Sequence, residues 1–224
     1  MRIELVIFDL DGTLISSAET IYEATVYSLN ALNIPGDMPH EEFNKRIGLH
    51  FEDIFDDFGI KLPDFEEFIT IYKSVYFDFI ESSKIYPGVL EIIKYLKENG
   101  IKISLLTTKA QDQADKILNF FNMSPDFDYI MGRRPGIAHK PSPEPLLTIC
   151  SDLSIDPVNC MIVGDSEMDI QCGKNAGAKT CAVTYGYRSK ENLVKDSPDY
   201  ILDSIFELKT IVSENGSLHP AANG

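Results

Sequence analysis

Asp9-Leu10-Asp11-Gly12-Thr13 follows directly on the apolar run Leu5-Val6-Ile7-Phe8. Four consecutive apolar residues bounded by a turn signal read as a buried strand. Alternate residues of an extended chain face the same way, so Asp9 and Asp11 project into one small volume where the strand ends. Gly12 lets the backbone approach a ligand and take torsions that other residues avoid. Two carboxylates held that close repel each other, and a bound cation or a shared proton relieves the repulsion. A strand followed by an ordinary Asp-Gly turn is the competing reading, so the other strand ends carry the argument.

Beyond Leu14 the chain reads as helical. Helices are expected over residues 17–33, 40–47, around Phe51–Phe58, and from Asp64 to Ser82. No strand candidate interrupts 16–84, and the dense Phe and Tyr content there reads as the packing of a small bundle. From Pro87 strands and helices alternate. Strands are expected at 101–106, 127–131, 160–163, 180–183 and 200–201. Helices are expected at 87–99, 111–121, from a Ser142 cap to 153, from 166 to 176, and at 205–212. This alternation predicts an α/β fold, a doubly wound, mostly parallel sheet. The expected organisation is a Rossmann-like core of 1–15 and 86–212, an inserted all-α segment of 16–85, and a disordered tail of 213–224.

In such a sheet ligands bind beyond the carboxyl ends of the strands, and this chain places its reactive residues there repeatedly. One strand ends in Thr107-Thr108-Lys109 and another in Gly164-Asp165-Ser166, with Asp169 a helical turn later. Lys140 stands just before a helix start. Taken singly, each has an ordinary explanation as a helix cap or a solvated charge. All of them at one edge of one sheet point to a site.

Bulk properties narrow the partners. The 224 residues carry a net charge of −15, which argues against nucleic acid and acidic membrane surfaces. No apolar run approaches the ~20 residues of a membrane span, and the N-terminus enters the first strand with no room for a signal peptide. Cys150, Cys160, Cys172 and Cys181 lack C-x-x-C spacing and read as reduced core residues, so a cytoplasmic location is expected.

The constellation resembles the haloacid dehalogenase superfamily, in its phosphatase branch. Asp9-Leu10-Asp11-Gly12-Thr13 is similar to the first motif, Thr107 to the second, Lys140 to the third, and Gly164-Asp165-Ser166-x-x-Asp169 to the fourth. The segment 16–85 resembles the family's C1-type cap domain. The runs 140–145 and 184–187 look like those of bacterial phosphoglycolate phosphatases. The resemblance implies hydrolysis of a small phosphorylated metabolite, with Asp9 as nucleophile and Asp11 as general acid and base. It implies Mg²⁺ held by Asp9, the Asp11 backbone carbonyl and Asp165, with Ser166 and Asp169 outside the metal's own ligands. Asp11, Gly12, Thr107, Thr108 and Lys140 would bind phosphate. Lys45, Arg46, Gly48 and His50 are candidate substrate contacts from the cap, with a plain surface role for Lys45 and Arg46 as the alternative. Hinges are expected near 14–17 and 86–88. A monomer or homodimer is expected.

Ser16-Ser17, Thr107-Thr108-Lys109 and Arg133-Arg134 depart from the pattern of phosphoglycolate phosphatases. They leave the chemistry intact and bear on the substrate. 2-Phosphoglycolate or a similarly small metabolite is the expected substrate. A sugar phosphomutase and an inorganic pyrophosphatase of the same build are the alternatives. A signalling receiver domain also gathers acidic residues, Thr and Lys at strand ends, but it has no place for the helical insertion.

Overall fold

The computed structural model describes residues 2–215. Its strands are β1 (Leu5–Phe8), β2 (Ile15–Ser16), β3 (Lys84–Ile85), β4 (Lys102–Ala110), β5 (Tyr129–Arg133), β6 (Cys160–Gly164), β7 (Lys179–Val183) and β8 (Tyr200–Leu202). Six of them form one sheet in the order β5-β4-β1-β6-β7-β8, and every neighbouring pair is parallel. The doubly wound α/β sheet expected from the alternation is therefore present. The order reverses at β1, so the carboxyl ends of β4, β1 and β6 open onto a common crevice.

β1 is buried on both faces, as a central parallel strand must be. Val6 and Phe8 join the larger core, while Leu5 and Ile7 point to the opposite layer with Leu146 and Ile149. That second pair lies on α7 (Glu144–Leu153). The other helices of the α/β portion are α5 (Val89–Glu98), α6 (Gln111–Phe120), α8 (Glu167–Ala176), α9 (Lys190–Lys195) and α10 (Leu208–Asn215).

Between β2 and β3 run α1 (Ala18–Ala31), α2 (His40–Asn44), α3 (Phe51–Asp57) and α4 (Phe65–Val75). Aromatic side chains hold this block together. Phe55 and Phe68 meet edge to face at 4.9 Å between ring centroids, a preferred geometry for aromatic pairs. Asp64 caps α4, accepting from the Glu67 N–H at 3.1 Å.

Several expectations need correction. The helix read as 64–82 ends at Val75 and continues as two 3-10 turns, 76–78 and 80–82. The Phe79 carbonyl accepts from the Ser82 N–H at 3.0 Å within the second turn and also from the Thr20 hydroxyl at 2.9 Å. The stretch 16–84 is not free of strands at its ends, because Ile15–Ser16 pairs antiparallel with Lys84–Ile85. The helix expected to begin at Pro143 behind a Ser142 cap begins at Glu144 with Pro143 in the cap position, although Ser142 Oγ still accepts from the Glu144 N–H at 3.3 Å. α9 was not expected, since its six residues are too short for a clear helical period. The tail read as beginning at Ser213 is helical through Asn215, and the remainder of that expectation, 216–224, lies outside the described residues.

Candidate active site

The turn after β1 sets the site. The Asp9 N–H donates to the Val163 carbonyl at 2.9 Å, which continues the ladder one residue past the strand. Gly12 then takes φ +83°, and a Cβ there would stand 2.2 Å from Asp165 Oδ2. Gly186 closes the same spot from another loop, where a Cβ would meet Asp165 Cβ at 2.3 Å. Only residues without side chains let the three segments approach this carboxylate so closely.

Lys140 links the segments electrostatically. Its Nζ donates to Asp9 Oδ1 at 2.7 Å, to Asp169 Oδ1 at 2.6 Å and to the Leu106 carbonyl at 3.0 Å. All three ammonium donors are thus used. Burial works against the charge, but the Asp169 and Asp9 carboxylates outweigh it and hold the ammonium firmly protonated. Asp169 Oδ2 in turn accepts from Ser166, through the hydroxyl at 2.6 Å and the backbone N–H at 3.2 Å, which closes a capping box at the start of α8.

Asp9, Asp165 and Asp169 are buried, and each offers an oxygen within 4.8 Å of the others. Burial pushes the Asp9 carboxyl up to about 7, with Lys140 opposing the shift. Burial also raises Asp165 well above its usual range, and the Asp9 and Asp169 charges add to that. Asp165 accepts one backbone N–H, from Tyr187 at 2.7 Å. Among the described residues it forms no ion pair. Three buried carboxylates answered by one ammonium leave surplus negative charge facing oxygen donors. That donor set fits a hard divalent cation. Both side-chain oxygens of Asp169 are already engaged, by Lys140 and Ser166.

Asp11 faces away from Lys140. Ser17 donates its hydroxyl to Asp11 Oδ1, and Lys109 Nζ lies 3.0 Å from Oδ2. Tyr187 supports this arrangement, its phenol accepting the Ser17 N–H at 2.8 Å. Lys109 also lies 5.0 Å above the Tyr76 ring, a cation–π distance. Sequence reasoning placed Ser17 only at an expected hinge and gave Lys109 and Tyr187 no role of their own. The Thr-Thr-Lys run and the 184–187 run were the available signals.

A register shift in the β4–β5 pairing between Leu106 and Ala110 frees Thr107-Thr108-Lys109 from the ladder. Thr107 is buried, and its Oγ1 accepts from the Lys109 N–H at 3.2 Å. Thr108 Oγ1 reaches the Gly48 carbonyl at 3.4 Å, across the seam between sheet and helical block.

Of the four residues expected to reach the substrate from the helical block, two line the cleft above Asp11. Gly48 and His50 stand there with Thr108 and Lys109. His50 packs against His139 at 4.1 Å between rings, and its Nδ1 lies 3.3 Å from Arg133 Nη1. Lys45 and Arg46 do not line that cleft. Lys45 pairs with Glu42 at 2.6 Å, and Arg46 pairs with Asp57 at 2.9 Å while stacking on Phe58. Nearby carboxylates on their own block draw both side chains outward.

Comparison with known proteins agrees with this geometry. Residues 6–183 match the family model described as haloacid dehalogenase-like hydrolase. Pyrophosphatase PpaX of Bacillus cereus (strain G9842) is 34% identical, over 95% of this chain and 98% of its own length. The crystal structure of a predicted phosphoglycolate phosphatase from Haemophilus somnus 129pt superposes with a TM-score of 0.81 at 25% identity, covering 94% of this chain and 98% of that one. A predicted phosphatase from Clostridium acetobutylicum gives a TM-score of 0.80 at 27% identity, with 96% and 100% covered. With its four sequence motifs drawn to one sheet edge and its whole length shared with these proteins, the chain belongs to the haloacid dehalogenase-like hydrolase family and stands among its phosphatases.

Proposed function

We propose that this chain hydrolyses a small organic phosphate monoester through a phosphoryl group carried on Asp9, with Mg²⁺ as cofactor. The observation that carries the reading is Lys140 bridging Asp9 and Asp169, at 2.7 and 2.6 Å, beside the carboxylate of Asp165. A carboxylate can attack an anionic phosphoryl group only where cations offset the charge. Asp9, Asp165 and the Asp11 carbonyl would hold a divalent ion, which would supply that neutralisation as a Lewis acid.

The chain's own residues do the rest. An Asp9 oxygen forms a bond to phosphorus as the bond from phosphorus to the leaving oxygen breaks, and Asp11 gives that oxygen a proton. Water then attacks the aspartyl-phosphate, Asp11 takes the proton back, and phosphate leaves with Asp9 regenerated. Ser17 and Lys109 orient Asp11 for both transfers. Thr107, Thr108 and the backbone near Gly12 hold the phosphoryl oxygens, and Lys140 keeps Asp9 and the phosphate from repelling each other. The helical block acts as a cap hinged at the β2–β3 pair, excluding water during transfer.

2-Phosphoglycolate is the first compound to test, because structural neighbours carry that name. Pyrophosphate is the second reading, favoured by the full-length likeness to PpaX. The experiment is phosphate release by the purified protein over both compounds and a set of sugar and nucleoside phosphates, with Mg²⁺ and with EDTA. Metal-dependent release that Asp9→Asn abolishes supports the proposal. No metal-dependent release from any compound overturns it.

A further inference from the structure

Besides Lys73, Lys109 and Arg133, the cleft above Asp11 has an apolar wall that neither 2-phosphoglycolate nor pyrophosphate would use. Leu49, Phe51, Phe65 and Ile69 line it from the helical block, and each keeps part of its surface uncovered. Partly exposed apolar surface converging on one concavity is the usual make-up of a pocket for an organic ligand. A carboxylate or a second phosphate would gain nothing from it.

A second feature of the same cleft is polar. Gln113, on α6, is only 5% exposed and lines the cleft floor. Its amide Nε2 is buried and has no hydrogen-bond partner. Buried donors are nearly always paired, and an orphan calls for an explanation. Gln111, two residues earlier, shows the ordinary condition. Its Nε2 donates to Asp115 at 2.9 Å, and its Oε1 accepts from the Gly132 N–H at 2.7 Å and from Arg134 Nε at 2.9 Å. Gln113 shares the lining of this cleft with Asp11, two residues along the chain from Asp9.

We propose that the substrate's leaving group carries an aromatic or branched apolar body with a hydrogen-bond acceptor, and that Gln113 is the residue that selects the acceptor. The apolar wall covers the body, and Nε2 donates to the acceptor. This inference rests on the phosphatase reading above and narrows it toward substrates larger than its two first candidates.

The test compares benzyl phosphate with the 2-, 3- and 4-pyridylmethyl phosphates, which share its shape and add one acceptor nitrogen, and with 2-phosphoglycolate and pyrophosphate. The aromatic esters are expected to exceed the last two in kcat/KM by about tenfold or more. One pyridylmethyl isomer should exceed benzyl phosphate by about fivefold, mostly in KM, the scale of one neutral hydrogen bond. Gln113→Met, of similar volume, should erase that isomer's advantage. Efficient turnover of 2-phosphoglycolate or pyrophosphate with poor turnover of all aromatic esters overturns this inference and leaves the phosphatase reading standing. Equal rates for benzyl and every pyridylmethyl ester, or an advantage that survives Gln113→Met, overturns the role of Gln113. Failure of every compound in this panel overturns the inference, and the phosphatase reading falls with it only if the sugar and nucleoside phosphates also fail.

Discussion

Lys73 Nζ lies 3.1 Å from Asp112 Oδ1, tying α4 of the helical block to α6 beside the sheet. Asp112 is exposed and Lys73 partly so, so the pair is screened and contributes at most about 1 kcal/mol. Its position matters more than its strength, because Lys73 also lines the cleft. Lys73→Met and Asp112→Asn should each leave the urea midpoint nearly unchanged, while the first raises KM and reduces its dependence on salt and the second lowers KM. A KM that ignores both substitutions would separate this pair from substrate entry.

Lys140 is the only cation bonded between Asp9 and Asp169 among the described residues. Lys140→Met would leave two buried carboxylates uncompensated, and removing one partner of a buried pair costs about 3–5 kcal/mol. Unfolding in urea should show that loss. Adding Asp169→Asn should recover part of the stability and none of the activity, and a fully additive double variant would contradict the arrangement.

Gly12→Ala should be damaging for two separable reasons. A side chain at φ +83° costs about 1–2 kcal/mol. The new methyl would also collide with the Asp165 carboxylate, 2.2 Å away. Activity is expected to fall much further than stability, and phosphate release beside a thermal melt tests both.

The surplus carboxylates of Asp9 and Asp165 predict a thermal response to metal. Mg²⁺ at about a hundred times its dissociation constant should stabilise the native protein by about 2.7 kcal/mol. EDTA should reverse the rise, and Asp165→Asn should abolish it. A melting temperature indifferent to Mg²⁺ would remove the metal from the account.

His50 gives a pH dependence. Burial, followed by His139 and Arg133, lowers its pKa from the ordinary 6.5. The folded state therefore binds a proton less readily than the unfolded chain, and stability falls as pH drops below about 6.5 toward the folded value. His50→Gln should flatten that part of the stability curve. A curve of unchanged slope would show that other groups dominate.

Most of the sheet was legible because apolar runs punctuated by Gly and Pro mark parallel strands plainly. Asp9, Thr107, Lys140, Asp165 and Asp169 could be named because each sits at a strand end or helix start. What escaped notice depended on contacts between distant segments. Ser17 and Tyr187 meet across 170 positions of sequence, and no local pattern announces a phenol that accepts a backbone N–H. Lys45 and Arg46 stayed open between two readings because a basic pair near a Gly reads alike whether it faces an anion or, as here, Glu42 and Asp57. The end of α4 at Val75 was equally hidden, since Thr20, far away in sequence, holds the Phe79 carbonyl.

The two short strands at the root of the helical block, paired through Ile15 with Ile85 and Ser16 with Lys84, have a consequence for ancestry. Because the chain departs and returns through adjacent rungs, everything between them is a detour that the parallel sheet does not need for its own connectivity. Such a detour can be lengthened, shortened or exchanged while the carboxylates at the sheet edge stay where they are, so the wall of the cleft can change without moving Asp9, Asp165 or Asp169.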